Sequence, residues 1–391
     1  MKLYTARGSM KEGKLRKTLL QITMLAALMF VTYYLIMRDK DITQVWAVVV
    51  ASSKCWLLAA AAVMAVYVFC GGWAIKVMMK GRGRKVTIWQ CFKYSFVEIY
   101  FSAITPSNTG GQPVQMVYMR EDGFPVSEST VVLCGVTVLY RVAFLITCGV
   151  LFLINLDFIS GPISSVWPLV ILGVVVNLAL IGALILLLFS KKLLRWIMEK
   201  TVKLLGKLHI VKDVPEKLAS FSKKIEQYHS CAKFFAENKG LVVRTFLVLA
   251  LQRAALMSVP CFVYLAFGLK GYSFIEIMTT QYLLSLCVDL MPLPGAVGIS
   301  ETVFLMMFTP IFLEANITSA VLLSRGISFY LLVVIAGLVI IGLQVAKIFK
   351  KSDDAGAKKI KSASAEAGKA TDAATEATEA NEANGEEGKS N

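Results

Sequence analysis

Two stretches rich in glycine and proline decide the fold of this chain: TPSNTGGQPVQ at residues 105–115 and MPLPGAVGISE at residues 291–301. Each interrupts an apolar region, residues 86–126 and 272–313, that is otherwise typical of helix. Proline and paired glycines end helices. Inside a bilayer, non-helical backbone is tolerated only where it is buried in protein or faces a water-filled cavity. The two stretches therefore predict two broken helical hairpins, if the surrounding chain lies in a membrane.

The composition is that of a membrane protein. Of the 391 residues, 57% are hydrophobic and only 17% are charged, and the mean hydropathy is +0.66. A bilayer-spanning helix needs about 20 apolar residues, and six segments meet this requirement: Thr18–Met37, Cys55–Ile75, Val131–Leu156, Val166–Phe189, Leu241–Leu269 and Val321–Ala346. We predict an all-α polytopic membrane protein with about six full transmembrane helices plus two re-entrant broken hairpins.

The basic residues predict the orientation of these spans. The N-terminus, the loop after the second span, residues 190–240 and the end of the last span hold 26 Lys and Arg, against four on the other side. The positive-inside rule then makes both termini cytoplasmic. Anionic lipid headgroups account for the formal charge of +15, so a nucleic-acid partner is not expected. Loop parity requires the first hairpin to enter and leave on one side, whereas the second could also be two short spans.

The chain has the arrangement of an inverted repeat. Each half contains two helices, a broken hairpin and a further helix. The spacing from glycine to arginine also matches, because Gly110 lies 31 residues before Arg141 and Gly295 lies 30 residues before Arg325. Inverted repeats with broken helices are typical of transporters with a midplane site. We predict a membrane domain over residues 1–351, with halves 1–160 and 161–351. We predict that residues 190–240 form a cytoplasmic amphipathic loop, whose helix either lies on the inner leaflet or caps the bundle. Residues 352–391 are predicted to form a disordered cytoplasmic tail.

Ionisable side chains inside the apolar segments are the strongest candidates for a functional site, because a charge in the bilayer is costly unless it is paired or hydrated. Six were selected: Arg141, Arg253, Arg325, Glu98, Asp289 and Glu301. Two interpretations stay open for each residue. It either fastens helices as one member of an ion pair, or lines a hydrophilic groove that binds a lipid headgroup.

The breaks supply a second candidate feature, a backbone anion site and hinge. Its residues are Pro106, Gly110, Gly111 and Pro113 in the first break and Pro292, Pro294, Gly295 and Gly298 in the second. A short helix follows each break, and its free N–H groups and positive dipole end suit a phosphate. Asn108, Thr109 and Gln112 add neutral hydrogen-bonding groups. Ser300 or Glu301 could instead cap the second short helix, and for Ser300 capping is favoured over contact with a ligand.

Motifs for catalysis or cofactor binding are missing from the sequence. GxSxG, P-loop, GxGxxG and HExxH patterns do not occur, and the eight cysteines lack CxxC spacing. We therefore expect no catalytic residues, no metal and no cofactor.

The two stretches resemble the signature segments of the lysylphosphatidylglycerol synthase transmembrane-region family, a flippase-like domain also found in the multiple peptide resistance factor. The family patterns are roughly P-S-x-x-G-G-E-P and P-x-P-G-G-x-G-x-x-E. Pro106, Ser107, Gly110, Gly111 and Pro113 match the first pattern, and Pro292, Pro294, Gly295, Gly298 and Glu301 match the second. Gln112 replaces the usual Glu, and Ala296 stands where Gly is common. The resemblance covers about residues 10–350.

The resemblance implies a flippase in the bacterial plasma membrane that moves lysylphosphatidylglycerol, or a related anionic or aminoacylated lipid, and so lowers susceptibility to cationic antimicrobial peptides. Implied partners are membrane phospholipids, a separate lipid-synthesising enzyme and a second copy of the chain. Relatives with lysyltransferase activity carry a soluble synthase domain, in place of which we expect only the tail here. The alternatives are a lysyl-tRNA-dependent lysyltransferase, a polyprenyl-lipid-linked transfer component acting with a catalytic partner, and a transporter of a soluble anion.

Overall fold

A computed structural model describes residues 42–105, 108, 110–159, 167–190, 192, 196, 200, 232–289, 291 and 293–346. Across these residues the chain is helical and forms no β-strand, which confirms the predicted all-α class. The predicted first span, most of the 190–240 loop and the predicted disordered tail lie outside the described residues.

The described helices follow one another with short connections. In chain order they are α1 (Ile42–Ala51), α2 (Lys54–Gly81), α3 (Ile88–Ala103), α4 (Gly111–Glu121), α5 (Val126–Ile154), α6 (Leu156–Ile159), α7 (Trp167–Phe189), α8 (Lys239–Met257), α9 (Val259–Ala266), α10 (Phe274–Val288), α11 (Ile299–Phe312) and α12 (Glu314–Arg325). Helix α12 continues through a π-helical turn at Gly326–Tyr330 and reaches Ala346.

Four helices in the described part of the chain are long and apolar enough to cross a membrane: α2, α5, the α8–α9 pair and the full Glu314–Ala346 helix. They correspond to four of the predicted spans, and α7 corresponds to a fifth. Large apolar side chains cover their outer surfaces, and Leu153, Leu178 and Leu247 are each more than half exposed. Water would penalise such a surface, whereas lipid matches it. The chain is a polytopic α-helical membrane protein.

The last helix begins seven residues before the predicted Val321. Its first turns, EANITSA at residues 314–320, contain polar residues that lower the local hydropathy. Ile317, Ser319 and Ala320 are nevertheless buried, because these turns pack against α11. Burial against a neighbouring helix therefore extends the helix beyond the apolar segment that the sequence marks.

The first broken hairpin consists of α3, the break at residues 104–110, and α4, which packs against α3. The Thr87 hydroxyl accepts a hydrogen bond from the Gln90 N–H, and the Gln90 side-chain oxygen accepts one from the Thr87 N–H, so a capping box starts α3. Helix α4 begins at Gly111, inside the glycine-rich stretch. Pro113 is tolerated there because it occupies the first turn, where its missing N–H would have no helical acceptor.

The second broken hairpin consists of α10, the break at residues 289–298, and α11, which packs against α10. A capping box of Ser273 and Glu276 starts α10. The backbone of the break takes positive φ angles at Gly295 (+59°), Ala296 (+51°) and Gly298 (+90°). A residue with a Cβ is strained at such angles, so glycine at two of the three positions lowers the cost of the break.

Close packing holds the first hairpin against α2. A Cβ added at Gly72 of α2 would lie 2.1 Å from the carbonyl oxygen of Cys91 in α3, so only glycine permits this approach. At the same end of the hairpin, within one turn of Cys91, the Lys93 ammonium and the Tyr94 hydroxyl of α3 both bind the Asp122 carboxylate just after α4. The two helices of the hairpin are thus fastened at their base.

The chain forms two units, residues up to Gly337 and residues from Leu338 onward. The first contains both hairpins and the cavity described below. The described part of the second, residues 338–346, is the final part of the last helix. The predicted halves 1–160 and 161–351, with their opposite orientation in the membrane, stay predictions.

Candidate functional site

The first unit encloses a cavity of about 290 Å³ between α2, α3, α5, α8, α10 and α12, and both breaks open onto it. Five of the six ionisable residues selected from the sequence line this cavity: Glu98, Arg141, Arg253, Asp289 and Arg325. They come from five different helices or helix ends. The tertiary structure therefore brings together residues that are up to 227 positions apart in the sequence.

Arg253 is the most enclosed of the three arginines, with 4% of its surface exposed. Its guanidinium donates to the Tyr140 hydroxyl at 2.8 Å and to the Ser285 hydroxyl at 2.6 Å, and it forms an ion pair with the Asp289 carboxylate. Its carbon Cζ also lies 4.1 Å from the centre of the Phe144 ring. Asp289 is thus largely neutralised by Arg253, and the pair links α8 to the end of α10.

Arg325 is paired with Glu301. Its Nε donates to Glu301 Oε1 at 2.9 Å and its Nη2 donates to the Gly295 carbonyl oxygen at 3.0 Å. The Tyr330 hydroxyl donates to the same Glu301 oxygen at 2.9 Å. Arg325 therefore lines the cavity while it also holds the second break in place.

Glu301 does not line the cavity, and its whole residue is 2% exposed. Besides the Arg325 pair, its Oε2 accepts a hydrogen bond from the Gly298 N–H at 2.7 Å. Of the two caps that the sequence left open, Ser300 and Glu301, the structure has Glu301, whose side chain reaches back to the free N–H. A protein carboxylate thus already occupies the N-terminus of α11, which argues against a ligand anion at that end.

Arg141 has no carboxylate partner among the described residues. Its Nη1 donates to the Asn177 side-chain oxygen at 2.9 Å, and its buried Nε atom lacks a hydrogen-bond acceptor in the described part of the chain. Asn177 is fully buried and also donates to the Gly173 carbonyl oxygen at 2.9 Å. A neutral amide orients the guanidinium without cancelling its charge.

Glu98 is the corresponding acidic residue without a basic partner. None of the ion pairs between described residues includes it. Its polar neighbour is the side-chain amide of Gln115, which itself donates to the Tyr94 carbonyl oxygen at 3.1 Å. A Cβ added at Gly111 would lie 3.2 Å from Glu98 Cγ and 2.2 Å from Ser102 Oγ. The start of α4 therefore packs directly on this carboxylate side chain.

The hinge residues predicted from the sequence have different positions relative to the cavity. Gly295, Asn108 and Gln112 line it, whereas Gly111 and Gly298 lie at helix starts next to it. Gly110 donates its N–H to Thr105 Oγ1 at 2.9 Å, which closes the turn before α4. Pro106, Thr109 and Pro292 lie outside the described residues. Pro113 lies in the first turn of α4, and Pro294 lies inside the second break.

A family model for the lysylphosphatidylglycerol synthase TM region matches residues 18–336, more than four fifths of the chain. This chain belongs to the lysylphosphatidylglycerol synthase TM region family. A UPF0104 membrane protein from Archaeoglobus fulgidus is similar to it, with 24% identity over 265 residues that cover 66% of this chain and 76% of that protein. Both breaks and all six selected ionisable residues lie inside the family region.

In this member of the family, sequence reasoning missed the neutral residues that hold the charges in place. Tyr140, Asn177 and Ser285 each bind an arginine in or beside the cavity. A usable signal existed for two of them. Asn177 is a lone amide in an apolar run, and Ser285 lies one helical turn before Asp289. Tyr140 has no such signal beyond its place next to Arg141.

Proposed function

We propose that this chain is a phospholipid flippase, in which the cavity binds the polar headgroup while the acyl chains stay in the surrounding lipid. The supporting observation is the convergence of Arg141, Arg253 and Arg325 on one cavity inside a bundle with an apolar exterior. A guanidinium binds phosphate through charge-assisted, often bidentate hydrogen bonds. A purely structural core does not need three such groups, because apolar residues of the same volume would stabilise it equally well.

The three arginines differ in their availability to a phosphate. Arg253 is committed to Asp289 and Arg325 to Glu301, whereas Arg141 has no carboxylate partner among the described residues. Its buried Nε, like that of Arg253, has no acceptor in the described part of the chain. We assign the phosphate contact to Arg141, with the two pairs forming the walls of the site. The lipid is lysylphosphatidylglycerol or a related anionic or aminoacylated phospholipid, as the description of the family suggests.

Movement of the headgroup requires parts of the wall to change conformation. Glycines at positive φ in the second break and the π-helical turn at Gly326–Tyr330 lie directly beside Arg325. π-helical turns are frequent at functional sites, because the extra residue weakens the local hydrogen-bond ladder. We propose that these two irregular segments act as the hinges that expose the cavity to one side of the membrane and then the other.

The proposal includes the cellular context that the sequence suggests. The protein lies in a bacterial plasma membrane with both termini in the cytoplasm. A separate lipid-synthesising enzyme supplies its substrate, and a second copy of the chain is a candidate partner.

The test is a headgroup-flip assay on the purified chain in liposomes. Lipids labelled with a fluorophore on one acyl chain are reduced from outside by dithionite, and the fraction that becomes accessible with time gives the flip rate. We expect the wild type to accelerate flipping above protein-free liposomes and Arg141→Gln to reduce the rate at least about tenfold, the effect of losing a charge-assisted contact.

The matched control is Arg120→Gln, which removes an exposed arginine at the end of α4 away from the cavity lining. This variant should flip lipid at the wild-type rate. Equal rates for the wild type and protein-free liposomes would contradict the proposal, as would an Arg141→Gln variant as active as the control.

A further inference from the structure

The cavity is lined by one ionisable group of each sign that has no ion-pair partner among the described residues. Arg253 pairs with Asp289, and Arg325 pairs with Glu301. Arg141 and Glu98 also line the cavity, and neither takes part in an ion pair between described residues. A buried charge without a counter-charge is costly. A ligand that brings both missing charges would remove both penalties at once.

The two groups are not each other's partner. No hydrogen bond or ion pair between described residues joins Arg141 to Glu98. Glu98 belongs to α3 and packs on the start of α4, whereas Arg141 belongs to α5 and is oriented from α7 by Asn177. They therefore mark two separate regions of one cavity, a cationic region at Arg141 and an anionic region at Glu98.

We infer that the cavity selects a zwitterionic headgroup with one phosphate and one primary ammonium, the phosphate at Arg141 and the ammonium at Glu98. This inference rests on the proposed flippase function, but it assigns the headgroup to the phosphoethanolamine class in place of the lysylated or anionic lipid that the family name suggests. A phosphoglycerol headgroup would leave Glu98 without a counter-charge, and a lysylated phosphoglycerol would bring one ammonium too many. A trimethylammonium group would bring the charge but no N–H donor for the carboxylate.

Neutral donors and acceptors between the two regions fit the same ligand. Gln112 and Thr137 line the cavity, and the Gln112 side-chain amide donates to the Thr137 hydroxyl. Thr137 lies one helical turn before Arg141 on the same face of α5. An amide at position 112, where a carboxylate of similar size would fit, leaves the charge of Arg141 free for the phosphate.

The experiment compares flip rates for four acyl-labelled lipids in the same proteoliposomes, with headgroups of phosphoethanolamine, phosphocholine, phosphoglycerol and lysyl-phosphoglycerol. We expect the phosphoethanolamine lipid to be flipped fastest. Its rate should exceed that of the phosphoglycerol lipid by about tenfold, because the phosphoglycerol headgroup lacks one charge-assisted contact. Glu98→Gln should bring these two rates within about twofold of each other. Arg141→Gln should slow all four lipids. Glu314→Gln, which alters an exposed carboxylate outside the cavity lining, should leave every ratio unchanged.

The inference is overturned if the wild type flips phosphoglycerol or lysyl-phosphoglycerol lipid as fast as phosphoethanolamine lipid, or if Glu98→Gln leaves the ratio intact. Such results would leave the flippase proposal standing. If no lipid is flipped, the flippase proposal fails, and calorimetric titration with water-soluble glycerophosphoethanolamine and glycerophosphoglycerol decides the inference separately. A zwitterion site is supported if glycerophosphoethanolamine binds to the wild type and if Glu98→Gln and Arg141→Gln each weaken this binding. If glycerophosphoethanolamine does not bind, the site is ruled out.

Discussion

Arg325 and Glu301 form a buried ion pair in which the arginine Nε lies 2.9 Å from the carboxylate oxygen Oε1. The pair joins the last helix to the first turn of α11, and Arg325 also binds the Gly295 carbonyl oxygen inside the break. Because the other Glu301 oxygen accepts the Gly298 N–H, both ends of the glycine-rich segment are held by one pair of side chains. The irregular backbone of the second break thus depends on a charge interaction for its shape.

Loss of Arg325 should destabilise the protein through this pair. Arg325→Ala leaves the Glu301 carboxylate, whose side chain is 3% exposed, without its counter-charge, and we expect a loss of about 3–5 kcal/mol in the free energy of unfolding. Denaturant titration of the protein in detergent micelles measures this quantity. The double variant Glu301→Gln/Arg325→Ala should lose less than the single variant, and equal or greater loss would contradict the pairing.

Asp289→Asn should destabilise the protein in a similar way from the opposite side of the cavity. The substitution keeps the size of the side chain but leaves the buried Arg253 guanidinium, which binds Asp289 and Ser285, without a carboxylate. We expect a loss of about 3–5 kcal/mol, measured by the same titration. Glu276→Gln alters a solvent-exposed capping carboxylate and is the comparison variant. It should cost no more than about 1–2 kcal/mol, and an Asp289→Asn loss as small as this would argue against a tight Arg253 pair.

Gly72→Ala should disrupt the contact between α2 and α3. The added methyl group would lie 2.1 Å from the Cys91 carbonyl oxygen, so the helices would have to separate, at a cost of about 1–3 kcal/mol or more. Gly149→Ala is the matched control, because nothing lies within 4 Å of its added Cβ. In that helix interior alanine should stabilise by up to about 1 kcal/mol. The close contact between α2 and α3 would be contradicted if both variants lowered the melting temperature equally, or if Gly72→Ala did not lower it.

Gln112→Glu should inhibit the proposed transport without unfolding the protein. The new carboxylate would lie beside Thr137, one helical turn from Arg141, and would compete with a phosphate for the guanidinium. We expect flip rates for every phosphate-bearing lipid to fall at least about tenfold. Gln112→Met, which keeps the volume and adds no charge, separates the effect of charge from that of shape. If both variants flip lipid equally well, Arg141 is not the phosphate contact.

The inverted repeat predicted from the sequence implies which compartment reaches each of the two breaks. In a variant without its native cysteines, single cysteines at Asn108 and Ala296, both in the cavity wall, should react with a membrane-impermeant maleimide. We expect opposite sides of the membrane to give access to the two positions, or both sides to each during turnover. Labelling of both from one compartment alone, or of neither, would contradict alternating access.

The helical class and the positions of both breaks could be predicted from sequence because they depend on local properties. Apolar runs of span length form helices in lipid, and glycine with proline interrupts them whatever the neighbours are. The helix ends were predicted less well, since α2 ends six residues after the predicted Ile75 and α5 begins five residues before the predicted Val131. At Glu314, burial of polar turns against α11 extended the last helix seven residues beyond the apolar signal.

The pairing of the charges was decided by the tertiary structure alone. Three arginines and three carboxylates in an apolar sequence allow several sets of ion pairs, because charge attraction has no preferred sequence separation. The folded chain pairs Arg253 with Asp289 and Arg325 with Glu301, and leaves Arg141 and Glu98 with amide partners. The sequence by itself determined that charges enter the membrane domain. Only helix packing decided which of them the protein neutralises and which it leaves for a ligand.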